Sequence, residues 1–220
     1  MGKIAVLTAS FGGIDEARRF PWKSESCDSF AISEKNCPFP FNQLDARMKS
    51  KYFKLQAHRV LPAHYTHVVW IDANVEIKAP SFVEEIIGAG KFDIAVARHP
   101  FRNCIYEEAA FVVDGIASGD KYLAARYSPE VMRIEADFYK KHGHPADFGL
   151  WWCGLFARPI NAQMNGFFDA WWNACLLWSS FDQNSFPFLA RQFGIEIREM
   201  VWGDFYDNPT YKMHRHLKVQ

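Results

Sequence analysis

An α/β domain built on a mostly parallel, mixed sheet flanked by helices is the fold class this sequence predicts, and three observations predict it. Apolar runs of strand length alternate along the chain with segments of helical period. The run Val68 to Ile71 is continuously apolar, as in a strand covered on both faces. At 220 residues and 49% hydrophobic, the chain is long enough to bury one sizeable core without a second domain.

Lys3 to Thr8 reads as the first strand, and it runs into Ala9-Ser10-Phe11-Gly12-Gly13, a small-residue loop where backbone can approach a ligand closely. Asp28 to Ser33 forms a second strand. Beyond the connection from Asn36 to Phe41, Asn42 is placed to cap a helix running to about Leu61, where Pro62 follows. The third strand spans 67–72. Ser81-Phe82-Val83-Glu84 has the capping-box pattern after Pro80 and opens a short helix that stops in the Gly88 and Gly90 region. Phe92 to Ala97 returns as a strand. Ile105, Ala109, Val112, Val113 and Ile116 recur at helical spacing, and Ser128-Pro129 supplies a cap and a first-turn proline for a helix to about Lys141, ended by Gly143. Leu150 to Ala157 is strand-like, Asn161 to Trp178 and Asp182 to Phe193 are helical, and Ile195 to Arg198 is a last short strand. From Asp204 to Gln220 no period is visible, so this tail is expected to be ordered by contact with the site.

The 25 acids balance 25 bases, which gives no electrostatic bias toward nucleic acid or an anionic membrane; any basic site must be local. No apolar run reaches bilayer length, and Gly2-Lys3 leads into a strand without a signal-peptide core, so a cytoplasmic chain is expected. Cys27, Cys37, Cys104, Cys153 and Cys175 include no C-x-x-C pair and read as reduced core fillers.

Chemistry concentrates at a few places. Asp72 ends the third strand, and an ionised carboxylate there must sit at the strand's mouth, pair, or bind a cation. Asn74, two residues on, points to the same side of an extended backbone, which suits one hard cation and its phosphate ligands. Asp-Ala-Asn is equally ordinary turn chemistry. Arg47, Lys51, Lys54 and His58 share one helical stripe and could clamp a diphosphate; a solvated helix face looks the same. Between His99 and Glu108, Arg102, Tyr106 and the two acids gather where a strand end meets a helix start, the usual place for ligands in open α/β sheets. Asp182 and Gln183 open a helix, either as an N-cap or as groups that orient sugar hydroxyls and supply a base. Trp151, Trp152, Trp171, Trp172 and Trp178 are stacking platforms or core, with core the reading for Trp171 and Trp172. His214 and His216, two apart in the tail, are candidate closing ligands for a manganese-like ion.

The stretches RMKSKYFKLQAHRVLPAHYTHVVWIDANVEI, ARHPFRNCIYEEA and FDQNSF together resemble a glycosyltransferase-like family that includes plant proteins of seed-mucilage synthesis and many bacterial proteins. The likeness runs over roughly residues 3 to 216. That family resembles the glycosyltransferase-A superfamily, whose Rossmann-like nucleotide-binding half merges with an acceptor half. The resemblance implies a single domain over 1–220, with the nucleotide half at about 1–100, the acceptor half at about 101–203, and 204–220 closing over the site. It implies that Thr8, Ala9 and their loop hold the nucleotide, with Arg47, Lys51, Lys54, His58 and Gln183 also on the donor. Asp72 and Asn74 would stand where the superfamily's Asp-x-Asp binds ribose, diphosphate and metal, the second Asp being Asn here. Metal ligands would be Asp72, Asn74, His214 and His216; catalytic residues Asp182, Arg102 and Glu108. The implied cofactors are a divalent cation, Mn or Mg, and a nucleotide diphosphate sugar, a UDP-sugar first. The expected partner is a glycan or other hydroxyl acceptor, not nucleic acid. Where the family's acid is expected near Gly149-Leu150, this chain has Trp151-Trp152. A non-catalytic nucleotide-sugar or glycan-binding module is the alternative from another class, since fold alone does not separate the two.

Overall fold

In the computed structural model, which describes residues 2–22, 25–88 and 90–216, six strands form one sheet. They are β1 (Lys3–Ala9), β2 (Cys27–Ile32), β3 (Tyr65–Ile71), β5 (Ile94–Arg98), β6 (Trp151–Pro159) and β7 (Ile197–Met200), in the spatial order β2-β1-β3-β6-β5-β7. Only β6 runs antiparallel to its neighbours; the other pairings are parallel. This is a Rossmann-like, mixed α/β sheet, as the sequence predicts. A smaller antiparallel pair joins β4 (Val75–Ile77) to β8 (Tyr211–Met213).

Alternation along the strands sends side chains to two covered faces. Ala5, Leu7, Val68 and Trp70 face a core shared with α1 (Ala46–Leu55), α7 (Ala162–Leu177) and α8 (Asp182–Phe193). Val6, Val69 and Ile71 face the other core, closed by α3 (Phe82–Ile87) and by Tyr211 of β8. Burial on both sides is why Val68 to Ile71 is apolar without interruption. Trp171 is fully buried against Phe186 and Phe168, at centroid distances of 4.9 and 5.2 Å. Each such ring removed from water contributes about 1.5–3 kcal/mol. Between β5 and β6 the chain forms α4 (Ile105–Ala117), the short α5 (Lys121–Ala124) and α6 (Pro129–Lys141), whose Ser128 cap and first-turn proline stand as expected.

Four local expectations are corrected. The helix expected over 42–61 is two: Asp45, not Asn42, caps α1 by accepting from Met48 N at 2.7 Å. Gln56 leaves helical geometry at φ −109° and ψ 24°, and α2 (Ala57–Val60) starts afresh. The capping box at Ser81 does not form, because Ser81 is itself helical and makes no capping bond. α5 gave no periodic signal, being a single turn. The tail is not aperiodic coil: β8 pairs with β4, and its register is fixed by Tyr211, 2% exposed, in the second core. Residues 217–220 of the expected tail lie outside the described residues.

No helix among the described residues is long and apolar enough to cross a membrane. All five cysteines are free thiols.

Candidate functional site

A cleft of about 320 Å³ opens where β1 and β3 end and β6 begins. Since β6 is reversed, its first residues reach the same edge as the last residues of its neighbours. Strand ends of open α/β sheets are where ligands bind. Ala9, Ser10 and Phe11 form one wall, Asp72 to Asn74 the floor, and Trp152 to Gly154 the far side.

Asp72 is fixed in place. Trp70 and Asp72 are two apart and share a face, and the indole Nε1 donates to Asp72 Oδ1 at 2.6 Å. Asp72 N donates to Gly154 O at 2.8 Å, carrying the β3–β6 pairing one step past the strand. Gly154 leaves room for the Trp152 ring, which a Cβ would approach to 2.5 Å. Lys54 Nζ is 3.4 Å from the same Asp72 Oδ1; Oδ2 carries no bond among the described residues and is left to the cleft.

From α1, Lys51 and Lys54 converge on Asp182 at the start of α8. Lys51 Nζ lies 2.8 Å from Oδ1, and Lys54 Nζ forms an ion pair with Oδ2 at 2.7 Å without hydrogen-bond alignment. These side chains are only 6–11% exposed. Burial opposes the Asp182 charge, but the two ammonium groups outweigh it and hold the carboxyl well below the usual carboxylate range. Burial likewise opposes the Lys54 charge, and Asp182 and Asp72 overcome it, raising its pKa above the ordinary lysine value. A carboxylate held so firmly ionised takes up a proton poorly at neutral pH. Asp182 thus holds two ammonium groups at the cleft.

The remaining expected residues divide. Ala9, Arg47, Lys51, Lys54, Asp72, Asn74, Asp182, Gln183 and His216 all line the cleft. Thr8 does not: its side chain points into the protein, and its buried Oγ1 has no partner among the described residues. His58 belongs to α2, beyond the break at Gln56, and so leaves the stripe. Its Nδ1 accepts from Arg158 Nη2 at 3.2 Å, which puts the proton on Nε2, facing Asp169 Oδ1 at 3.0 Å. Burial and Arg158 hold its pKa below the ordinary imidazole value. Arg102 and Glu108 stand behind the lining: Arg102 pairs with Glu108, and Gln183 Nε2 donates to Glu108 Oε1 at 2.9 Å. They orient Gln183 and do not touch the cleft.

His214 is also outside the lining; its imidazole is 2.6 Å from Glu76, and its backbone N donates to Asn74 O at 2.7 Å. His216 sits 2.6 Å from Asp15 Oδ2 and stacks on Tyr122. Among the described residues no three of His, Cys, Asp and Glu gather as a metal-ion cluster. What the cleft does offer is Asp72 Oδ2 together with Asn74, whose side-chain Nδ2 donates to His214 O at 3.2 Å and whose side-chain Oδ1 has no partner among the described residues. Two oxygens of this kind suit a hard cation that draws its other ligands from phosphate and water.

Sequence reasoning missed Asp15, Tyr122, Arg126 and Tyr127, all in the lining. Asp15 follows the Gly12-Gly13 turn, and the other three lie on and just after α5. Trp152 lines the cleft, while Trp151 is core. In the lining Arg47, Lys51, Lys54 and Arg126 stand against the carboxylates Asp15, Asp72 and Asp182, a local basic excess in a chain of zero net charge.

The model of one family, described as TOD1/MUCI70, glycosyltransferase-like domain, matches residues 31–213. The match begins in β2 and ends at β8, so it takes in the cleft from Arg47 to Met213 and leaves out Ala9 to Asp15 and His216. No curated protein gives a match.

Proposed function

The chain belongs to the TOD1/MUCI70 glycosyltransferase-like family, and from that premise we propose that it moves a sugar from a nucleotide diphosphate donor to a hydroxyl of a glycan or other acceptor, with a divalent cation at Asp72. The observation that carries this reading is the position of Asp72: fixed by Trp70 at the strand edge, flanked by the buried Lys51–Lys54–Asp182 triad, with Oδ2 free toward the cleft. The nucleotide lies along Ala9 to Phe11, where the small side chains of Ala9 and Ser10 allow close approach to the backbone. Asp72 Oδ2 and the Asn74 side-chain Oδ1 would hold Mn or Mg. When bound, the cation supplies charge neutralisation to the diphosphate leaving group.

The chain's own residues do the rest. Lys51 and Lys54 are held by Asp182 at fixed positions, so their remaining N–H donors meet charge that develops on the leaving oxygen without first having to be ordered. Asp182 cancels part of their charge in the resting site and limits the cost of burying them. Gln183, oriented through Glu108 and Arg102, presents its amide to a sugar hydroxyl. Trp152 excludes water on the β6 side.

Thermal melting with nucleoside diphosphates and nucleotide sugars, UDP-sugars first, with and without Mn or Mg, tests the reading. A ligand at a hundred times its Kd adds about 2.7 kcal/mol. Asp72→Ala should remove the metal-dependent part of the shift, and it should also lower the ligand-free melting by several degrees, because Trp70 Nε1 loses its acceptor and Lys54 its second counter-charge. No shift with any nucleotide would overturn the proposal. Binding without sugar transfer to any acceptor would leave a nucleotide-sugar binding module.

A further inference from the structure

A groove of about 690 Å³, larger than the cleft and sharing no lining residue with it, runs between α4, α6 and the loop after α6. The two helices are antiparallel: Ile105 at the start of α4 packs with Tyr139 near the end of α6, and Val112 and Val113 pack with Met132 near its start. The side chains between them are small, Ala109 and Val113 on α4 and Ala136 on α6, with Ala146 beyond. They leave the space between the outer edges of the helices unfilled. Its volume falls within the ~300–1,000 Å³ of small-molecule sites.

Four charged side chains stand around this apolar floor: Asp114 on α4, and Arg133, Asp137 and Lys140 on α6. The last three are four and three residues apart, the spacing at which helical ion pairs form. Yet none of the four makes an ion pair or a side-chain hydrogen bond among the described residues. Both signs of charge are therefore available around one groove.

His144 borders the same groove, held by Tyr106, whose hydroxyl donates to the His144 carbonyl oxygen at 2.6 Å. The imidazole is 5% exposed, and its Nδ1 has no partner among the described residues. Burial, then Arg191, lowers its pKa to about 4, so the ring is neutral at pH 7. A buried N–H without a partner is rarer than an unmet lone pair, which assigns the proton to Nε2 and leaves Nδ1 as an unused acceptor.

An unused acceptor, free carboxylates, free cations and an apolar floor together match a ligand that carries an ammonium, a carboxylate and an apolar group at once. We propose that the α4–α6 groove is a second ligand site, for a small zwitterion with an apolar side group, the chemistry of a free amino acid such as phenylalanine. Asp114 and Asp137 meet the ammonium, Arg133 and Lys140 meet the carboxylate, and the side group covers Ala109, Val113 and Ala136. The site stands apart from the cleft and does not depend on the transferase reading.

NMR titration of the full chain with L-phenylalanine, and with phenethylamine and hydrocinnamate, which each keep one of its charges, is the test. Phenylalanine should bind about tenfold more tightly than either analogue and shift the His144 imidazole signals. Asp137→Asn should weaken phenylalanine and phenethylamine and spare hydrocinnamate. Ala136→Phe, which fills the floor, should abolish binding of all three. Lys141→Gln, outside the groove, should change none of them. Equal affinity for the three ligands, no binding of phenylalanine, binding without a shift at His144, or the same loss in Lys141→Gln as in Asp137→Asn would overturn the proposal. Displacement of phenylalanine by a nucleoside diphosphate with Mn would also overturn it, by placing the zwitterion in the cleft.

Discussion

Replacing Asp182 with Asn removes one charge from a site built for three. The amide is nearly isosteric, so packing is retained, but Lys51 and Lys54 lose their shared counter-charge at side-chain exposures of 11% and 6%. Breaking a buried pair by deleting one partner costs about 3–5 kcal/mol, because the stranded charge keeps its desolvation penalty. Lys54 retains only Asp72 at 3.4 Å, on an oxygen already bonded to Trp70. For a domain of this size each kcal/mol moves the melting temperature by about 2–4 °C, so Asp182→Asn should melt roughly 6–20 °C lower. Adding Lys54→Met to that variant should recover part of the loss by removing a stranded charge. The acid limb should change as well. Burial raises the Asp182 pKa and the two lysines lower it further, so its stabilisation is present above the ordinary carboxylate pKa and is lost as pH falls through the depressed folded value. In the Asn variant that part of the acid transition disappears. Asp207→Asn is the control: its contact with Lys78 is 2.6 Å, yet the two side chains are 51% and 36% exposed, and solvent screening leaves such pairs little net stability. Differential scanning calorimetry across pH decides. An Asp182→Asn melting point within about a degree of the parent, or an equal loss in Asp207→Asn, would refute the reasoning.

Three other outcomes follow from the geometry. Asp45→Ala should cost about 1 kcal/mol and Asn42→Ala close to nothing in chemical denaturation, since the cap of α1 is Asp45. Gly154→Ala should cost about 1–3 kcal/mol and shift tryptophan fluorescence, because the added methyl must displace the Trp152 ring; weakened nucleotide binding should accompany the shift. His144 is 5% exposed, and burial followed by Arg191 holds its pKa down to about 4. The unfolded chain binds that proton near pH 6.5, so stability should fall between about pH 6.5 and 4 by at most ~3 kcal/mol, and His144→Phe should flatten this slope in urea titrations.

What was legible in the sequence is what periodicity and apolar runs encode. β3 was visible because both its faces are buried, and α6 because Ser128-Pro129 marks its start. The break at Gln56 was not, since Gln56 and Ala57 are good helix formers; tertiary bonds from Gln56 Nε2 to Phe168 O, and from His58 and Arg59 to Asp169, set the second helix. That break put His58 on the wrong side of the stripe while Arg47, Lys51 and Lys54 stayed on it. β4 and β8 are three residues each and pair across the length of the fold, so no local pattern reveals them. Arg126 and Tyr127 lie on a turn with no period, and Asp15 in a loop; their shared cleft is a product of topology, which spacing does not report. Asp182 and Asp72 were found as carboxylates, but their partners could be assigned only once α1 was laid beside α8.

The β4–β8 pairing has a kinetic consequence. Asn74 meets His214 across 140 residues of sequence, Glu76 meets His214 across 138, and Asp15 meets His216 across 201. Closing loops of that length before any contact repays the entropy is slow. The cleft's outer edge should therefore form in the last stage of folding, after the six-stranded sheet, and a refolding experiment should recover far-ultraviolet ellipticity before it recovers ligand binding. Until β8 arrives, β4 is an exposed apolar edge, open to pairing with another chain.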